Sequence, residues 1–294
     1  MTGSTVPRRM LGRELRRLRE ASGVSAAKAC SVIQCSPQTM WRLEGGQGGV
    51  KLKQIYIEAL CRLYEAPDDD TAALLGLIEE AQRPGWWHSY GDSVPEHFDL
   101  YLGLEQSARR LTTWQMTFLP GLIQTPAYRR AVEWTAFPGM PTAAVEQRIE
   151  LIVKRQERLN DPMFSLAVLL SESVLRHEIG GPAVMAEQLQ HLITLGQRRN
   201  ISIGVVPQSV GAHLGLQTGH FVLMEFPPRS SPGMKSKWIE PPVVYVEGFT
   251  GALYLDQADK VDRYRSALVE IKRRALDEQC TRDLLAHKAK EYAA

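Results

Sequence analysis

The chain has 294 residues, of which 44% are hydrophobic, and at roughly 150 residues per domain this length predicts about two domains. Its net charge is only +2, yet residues 1–66 carry 11 Lys and Arg against 5 Asp and Glu, while the remaining residues carry 24 against 28. No apolar run reaches the length of a membrane span, the start MTGSTVPRRM lacks the apolar region of a signal peptide, and the four cysteines form no CxxC pair. We therefore expect a cytoplasmic protein without a membrane anchor or metal site, whose basic N-terminal part suits a nucleic-acid partner.

Residues 1–9 look like a flexible arm, and the first predicted helix follows them. Leu11, Leu15 and Leu18 are spaced four and three residues apart, which marks one buried face of a helix. Gly23 ends this helix, because glycine is unfavourable inside helices and common just after them.

A second, shorter helix is predicted to begin after Ser25, whose hydroxyl can accept a hydrogen bond from the first free backbone N–H groups. Ala29 and Ile33 are expected to turn inward from it. The dipeptide Gln34-Cys35 is then predicted to form a short turn to the next helix.

The third predicted helix is marked at both ends. Ser36 is a suitable N-cap, and Pro37 suits the first helical position, where no N–H is needed. Gly45-Gly46 supplies the left-handed residue that ends a helix. Met40 and Leu43 are three residues apart and form its small apolar face.

The other side of this helix carries groups that match DNA. Gln38, Trp41 and Arg42 supply an amide, an indole and a guanidinium, and amide and guanidinium forks match purine edges in the major groove. An ordinary amphipathic surface helix is the alternative explanation. The preceding helices favour the DNA interpretation, because two short helices joined by a tight turn and braced by a first helix form a helix-turn-helix.

The run LGRELRRLREASGVS…CSPQTMWRLEGG resembles the DNA-binding domain of the Xre/Cro/phage-repressor family, and ALCRLYEAP resembles the closing helix of that fold. The resemblance implies a five-helix domain over residues 1–83 that binds double-stranded operator DNA. Two residues depart from the family pattern: Ala26 stands where Gln is usual, and Gln34 where Gly is usual. The implied DNA contacts are Ser36, Pro37, Gln38, Thr39, Trp41, Arg42, Arg16 and Arg17. The resemblance also implies an ion pair between Arg19 and Glu44.

An α+β domain is predicted over residues 84–294. Pro84-Gly85 marks its boundary, the aromatic segment GWWHSY fits neither a helix nor a strand, and Pro95 opens a helix. Further helices are predicted from Pro126 and at about 142–159, 182–197 and 257–277, and strands at 164–170, 201–206, 221–226 and 243–246. Strands gathered between helices favour the α+β class. The predicted fold is therefore mainly α, with a five-helix domain followed by an α+β domain.

The segments FLPGLIQTPAYRRA, VLRHEIGGPAVMAEQL, VVPQSVGAH and VVYVEGFTGALYLD together resemble a C-terminal domain of uncharacterised function in actinobacterial regulators, the WhiJ-like group. Members of this group are described as antitoxin-like transcriptional regulators, often encoded beside a small partner protein. The resemblance implies a cytoplasmic, nucleoid-associated homodimer that binds DNA and receives a signal from a small protein or a small-molecule effector. No cofactor is expected.

The C-terminal domain also leaves other roles open. Ser171, Glu172 and His177 belong to a set of groups from which a hydrolase-like site could be assembled, but Ser171 lacks a G-x-S-x-G elbow and no HExxH or phosphate-binding glycine loop occurs. We therefore expect no enzyme. A pure interaction module that sequesters a small partner protein is a further alternative.

The loop 207–219 is the predicted recognition element of this domain. His213 stands at its centre among glycines and apolar residues. We expect His213 to line a ligand- or partner-binding pocket, together with Tyr245 and Glu247 if their strand is adjacent. The alternative is a flexible connection whose histidine caps a strand end.

Overall fold

The computed structural model describes residues 5–83, 85–94, 98–228 and 240–294, which form two compact units. Unit 1 contains the described residues of Met1–Ser89, Asp99–Ser107 and Phe226–Pro241. Unit 2 contains those of Tyr90–Phe98, Ala108–Glu225 and Pro242–Ala294. The predicted boundary and helix start at Pro84 and Pro95 lie outside the described residues.

The first part of unit 1 consists of five helices. They are α1 (Thr5–Ala21), α2 (Ala26–Ile33), α3 (Pro37–Glu44), α4 (Gln54–Leu63) and α5 (Asp68–Gln82). A sixth, α6 (Asp99–Ser107), also belongs to this unit. The aromatic segment Trp86–Ser93 forms 3-10 helical turns with a kink at Gly91. These turns were not predictable from the sequence, because such short turns show no extended apolar periodicity.

Helix α1 begins earlier than the sequence predicts. Residues 5–9 belong to the helix and not to a flexible arm, because Val6 lies one turn before Met10 and both side chains are buried. The Arg8 guanidinium donates to the carbonyl oxygen of Val50 at 2.8 Å. Burial and a hydrogen bond to the loop after α3 therefore both hold the start of α1.

Local hydrogen bonds shape the turn between α2 and α3. Ser25 and Ser36 cap the two helices, each accepting the N–H of the residue three positions later, at 3.2 and 3.1 Å. Gln34 is left-handed, with φ 51°, and its N–H bonds to the carbonyl oxygen of Cys30. The N–H of Cys35 bonds to the same oxygen at 3.0 Å. The predicted helix-turn-helix is confirmed.

Two glycines allow α1 to approach the end of α3 backbone to backbone. A methyl group on Gly12 would stand 2.3 Å from the carbonyl oxygen of Leu43. One on Gly46, which has φ 62°, would stand 2.4 Å from the Cα atom of Arg9. Only residues without a side chain fit at these two positions, so α1 lies directly against the C-terminal end of α3.

An ion pair joins the same two helices. Arg19 Nε and Nη2 donate to the two carboxylate oxygens of Glu44 at 2.6 and 2.9 Å. The two side chains are only 14% and 9% exposed. The ion pair expected from the family resemblance is confirmed.

Unit 2 is built on a mixed six-stranded sheet with the order β3-β2-β1-β4-β5-β6. Its strands are β1 (Arg110–Gln115), β2 (Ser165–Ser171), β3 (Ile201–Val206), β4 (Phe221–Glu225), β5 (Val243–Gly248) and β6 (Gly251–Leu255). The first three strands pair in parallel, whereas β4, β5 and β6 pair antiparallel to their neighbours.

Helices connect and follow these strands. They are α7 (Pro126–Ala136) and α8 (Thr142–Gln156) between β1 and β2, α9 (Pro182–Leu195) between β2 and β3, α10 (Gly215–Thr218) before β4, and α11 (Ala258–Arg274) and α12 (Glu278–Ala293) after β6. The predicted α+β class of this part of the chain is confirmed.

Four of the helices and strands of unit 2, namely β1, α10, β6 and α12, were not predicted. Strand β1 reads RLTTWQ and offers no apolar run, yet Thr112 and Thr113 are buried because the strand is central in the sheet. The predicted last helix corresponds to α11, which ends at Arg274, and α12 follows it beyond the predicted range. Asp277 then caps α12 by accepting the N–H of Cys280 at 2.7 Å.

The two faces of the sheet carry different side chains. On one face, Trp114, Phe221 and Val244 form a hydrophobic cluster with Leu268 of α11. Side chains alternate along a strand, so Tyr245 points to the opposite face. There its ring lies 5.1 Å from that of Tyr254 on β6, measured between centroids.

Candidate nucleic-acid interface

Helix α3 exposes the side chains that the sequence assigns to DNA. Gln38 and Arg42 stand one turn apart and are exposed, and Trp41 is 61% exposed. Met40 and Leu43 are buried on the other side of the helix. The apolar side therefore anchors α3, and its amide and guanidinium groups face the solvent.

A groove of about 430 Å³ lies beside this helix. Residues of α3 and of the turn before it form one wall, and the α3–α4 loop with the start of α4 forms the other. Arg42, Lys51 and Lys53 line it, and its lining includes no acidic side chain among the described residues. The groove therefore attracts a polyanion.

Sequence reasoning missed the two lysines of this groove. The Lys53 ammonium lies 3.2 Å from the Tyr56 hydroxyl and 4.9 Å from the centre of its ring. Helix α4 has neither a side-chain N-cap bond nor an acidic residue in its first turn. Its free N–H groups and the lysines can therefore bind phosphate oxygens. The signal in the sequence was the KLK run before α4. It can be assigned to the groove only when the fold is known to place it beside α3.

Arg16 and Arg17 lie on α1 and do not line the groove. Arg16 pairs with Glu20 at 2.8 Å. Arg17 pairs with Glu14, and its guanidinium lies 3.5 Å from the carboxylate of Asp70. A phosphate contact by either arginine would have to compete with these carboxylates.

The hydroxyl groups at the start of α3 bond within the helix. Ser36 Oγ accepts the Thr39 N–H and lies 2.9 Å from Thr39 Oγ1. Pro37 occupies the first helical position and is exposed. These residues fix where α3 begins, and Ser36 and Thr39 also line the groove.

His213 lies in unit 2, in the loop between β3 and β4. Its Nδ1 accepts the N–H of Gly215 at 3.1 Å, which places the proton of the neutral ring on Nε2. The imidazole meets Trp114 edge to face, with ring centres 5.7 Å apart. Burial, followed by the charge of Arg274, lowers the pKa of His213, so the ring is neutral at pH 7.

This loop crosses the carboxyl ends of two strands. Strand β3 lies at the sheet edge and β4 lies beyond β2 and β1, so the connection passes over both. Gln208 N–H donates to the Glu172 carboxylate, just after β2, at 2.9 Å. Trp114 Nε1 on β1 donates to the carbonyl oxygen of Gly215 at 3.0 Å.

Tyr245 and Glu247 are not brought together with His213. Both belong to one side of β5, whereas His213 contacts Trp114 on the opposite face of the sheet. Tyr245 is buried, which raises the pKa of its hydroxyl, and Glu247 is exposed. The expected cavity shared by all three is not formed, because side-chain direction alternates at every residue of a strand.

The residues considered for catalysis form no nucleophile–base pair. Ser171 Oγ bonds to Ser173 Oγ at 2.8 Å, and Glu172 pairs with Arg176 at 2.7 Å. His177 is exposed. In the described ranges, no group of three or more His, Cys, Asp or Glu could hold a metal ion. Nor is any helix of the described chain long and apolar enough to cross a membrane.

Comparison with known proteins identifies both parts of the chain. A helix-turn-helix domain model matches residues 10–74, which supports a DNA-binding regulator. A model of a domain of unknown function (DUF5753) matches residues 98–287. None of the curated proteins and none of the solved structures matches the chain. Because the second match covers more than half of its residues, the chain belongs to the DUF5753 family, with a helix-turn-helix domain at its N-terminal side.

Proposed function

We propose that this protein is a sequence-specific transcriptional regulator that binds operator DNA through residues 1–83 and receives a signal through residues 84–294. The observation that carries the proposal is the exposed pair Gln38 and Arg42 on a capped helix beside a cationic groove. In this proposal α3 enters the major groove, where the amide and the guanidinium read base edges. Trp41 contacts the sugar-phosphate backbone or a thymine methyl group.

The phosphate contacts come from the second wall of the groove. Lys51, Lys53 and the start of α4 face the same space as Arg42. A DNA strand whose phosphates bind to that wall brings its bases towards α3. Arg16 and Arg17 supply weaker, sequence-independent attraction, because carboxylates already neutralise them in part.

Selection of bound duplexes from a random DNA pool tests this function directly. We expect the full chain to enrich one short motif over several rounds at physiological salt. Genome-wide mapping of bound DNA should return the same motif. Retention of all sequences alike, with no enrichment, would rule out sequence-specific regulation.

We propose that the protein binds DNA as a homodimer. One recognition helix covers only a few base pairs, and two-fold operators place their half-sites about 34–36 Å apart. Sedimentation should therefore show a dimer at micromolar concentration, and the selected motif should be an inverted repeat. A monomer that retains full affinity for a single half-site would contradict this prediction.

The signal is proposed to bind under the 207–219 loop of unit 2. In open α/β sheets, ligands bind outside the carboxyl ends of parallel strands, and this loop crosses the ends of β2 and β1. The Nε2–H group of His213 offers a neutral donor there. Tyr245 and Glu247 remain candidates for a separate contact on the opposite face of the sheet.

A thermal-shift screen with a metabolite library tests the role of His213. We expect a compound that raises the melting temperature of the native protein and has no effect on His213→Ala. The exposed His287→Ala is the matched control and should respond as the native protein does. If His213→Ala lowers the melting temperature but keeps the ligand-induced shift, the histidine is structural.

The resemblance to WhiJ-like actinobacterial regulators supports an antitoxin-like role in which a small protein encoded nearby is the signal. Under that alternative the C-terminal domain is an interaction module that sequesters its partner. A cytoplasmic, nucleoid-associated location follows from the proposed DNA binding. A hydrolase-like activity has little support, because Ser171 bonds to Ser173 and not to an imidazole.

A further inference from the structure

Two cysteines, Cys30 and Cys35, are neighbours at the turn of the helix-turn-helix. The N–H of Cys35 bonds to the carbonyl oxygen of Cys30 at 3.0 Å, across the left-handed Gln34. This is the bond of a Schellman-type helix end, in which the side chains of the two bonded residues meet. Both of those residues are cysteines here, so the turn brings two thiols to the same place in the fold.

The two thiols differ in access. Cys30 is 7% exposed and belongs to the core of unit 1. Cys35 is half-buried, lies directly before the N-cap Ser36, and lines the groove beside α3. A small reagent in the groove therefore reaches Cys35 first, and Cys30 is the thiol placed to react next.

We propose that Cys30 and Cys35 form a reversible disulfide that weakens DNA binding, a regulation that rests on the proposed function. The oxidant is a low-molecular-weight disulfide. The Cys35 thiolate attacks one of its sulfurs, giving a mixed disulfide and releasing one small thiol. The Cys30 thiolate then attacks Cys35 Sγ and expels the second small thiol. Two electrons pass from the protein thiols to the oxidant, and the two released thiols take up the protons.

The new bond would change the start of α3. A disulfide requires the sulfurs to stand about 2 Å apart, closer than two free thiols can approach. Cys35 must therefore move towards α2, and Ser36 and the groove wall move with it. Because Gln38 lies in the first turn of α3, this displacement changes where its amide meets a base.

Burial, and then contact with Cys30, raises the pKa of Cys35 to about 11. Because little thiolate is present at pH 7, the reaction of this pair with a disulfide is slow at that pH. Exchange should accelerate about tenfold per pH unit between pH 7 and 9, because the thiolate fraction rises by that factor. Cys280 is the comparison thiol in the same chain, exposed on α12 and capable of a mixed disulfide.

The experiment exposes the full chain to glutathione disulfide and digests it with trypsin. Cleavage after Lys28 and Arg42 yields one peptide that contains both cysteines. We expect this peptide to become lighter by two hydrogens, and dithiothreitol to restore it. Cys30→Ala should prevent this change, and Cys280→Ser should leave it intact. Should Cys30→Ala fail to fold, Cys35→Ser provides the same test. Its peptide keeps only one thiol and therefore cannot lose two hydrogens.

The second measurement compares oxidised and reduced protein on the selected duplex. We expect oxidation to weaken binding about tenfold or more, as the loss of a good base contact does, with no such effect in Cys30→Ala. A peptide that carries only glutathione, or oxidised protein that binds DNA as tightly as before, overturns the proposal. If the reduced protein enriches no motif, the proposed function fails, and the peptide mass still decides whether the disulfide forms.

Discussion

Glu44→Ala is expected to lower the free energy of unfolding of unit 1 by about 3 kcal/mol, the cost of removing one partner from a largely buried ion pair. Both carboxylate oxygens of Glu44 accept from Arg19, at 2.6 and 2.9 Å. The alanine variant leaves the Arg19 guanidinium, only 14% exposed, with a weaker contact to Glu20 at 3.8 Å. A poorly solvated charge without a close counter-ion causes the loss of stability.

Hydrogen exchange of the α1 and α3 amides measures this effect for unit 1 alone, which matters because a chain with two units need not unfold in one step. Glu20→Ala is the matched control. It removes a carboxylate from an exposed pair with Arg16, which water screens, and should cost little stability. Arg19→Ala combined with Glu44→Ala should be less harmful than the sum of the two single changes. If the α1 and α3 amides are equally protected from hydrogen exchange in Glu44→Ala and Glu20→Ala, the prediction is wrong.

The features that were predictable from the sequence are local. Ser25, Ser36 and Thr125 each cap a helix start where the sequence predicts one, because a cap involves only a few neighbouring residues. The strand at residues 201–206 was also predictable, since its apolar run is bounded by turn residues. The start of α1 was missed because the apolar pair Val6 and Met10 lies in a run with several polar residues.

The features that were not predictable depend on contacts between distant parts of the chain. Thr112 and Thr113 are buried only because β2 and β4 flank β1. The opposite positions of His213 and Tyr245 depend on strand register, which a one-residue shift would reverse. Lys51 joins the candidate interface because the α3–α4 loop folds back beside α3. Such sites can be predicted only from the tertiary structure, whereas helix α3 itself was predictable from the sequence.

Arg42→Ala is expected to relax sequence preference at one base pair of the selected motif by about 2 kcal/mol, or roughly 30-fold. Arg42 is exposed on α3, one turn after Gln38, and lines the cationic groove. Its guanidinium has the planar fork that binds guanine O6 and N7 together. In the proposed complex, alanine removes both hydrogen bonds, so we expect the base at that position to be no longer distinguished.

Binding to the selected duplex and to its single-base-pair variants measures this loss. Arg42→Lys is the sharper control, because it keeps the charge but lacks the two-pronged fork, and it should lose most of the same discrimination. Lys53→Ala should instead weaken binding to every sequence alike. It should also reduce the slope of log affinity against log salt concentration by about one, which corresponds to one phosphate contact. Arg16→Ala and Arg17→Ala should also act on all sequences alike, more weakly, because Glu20 and Glu14 already pair with them. If Arg42→Ala weakens binding to selected and random DNA by the same factor, Arg42 contacts phosphate and not a base.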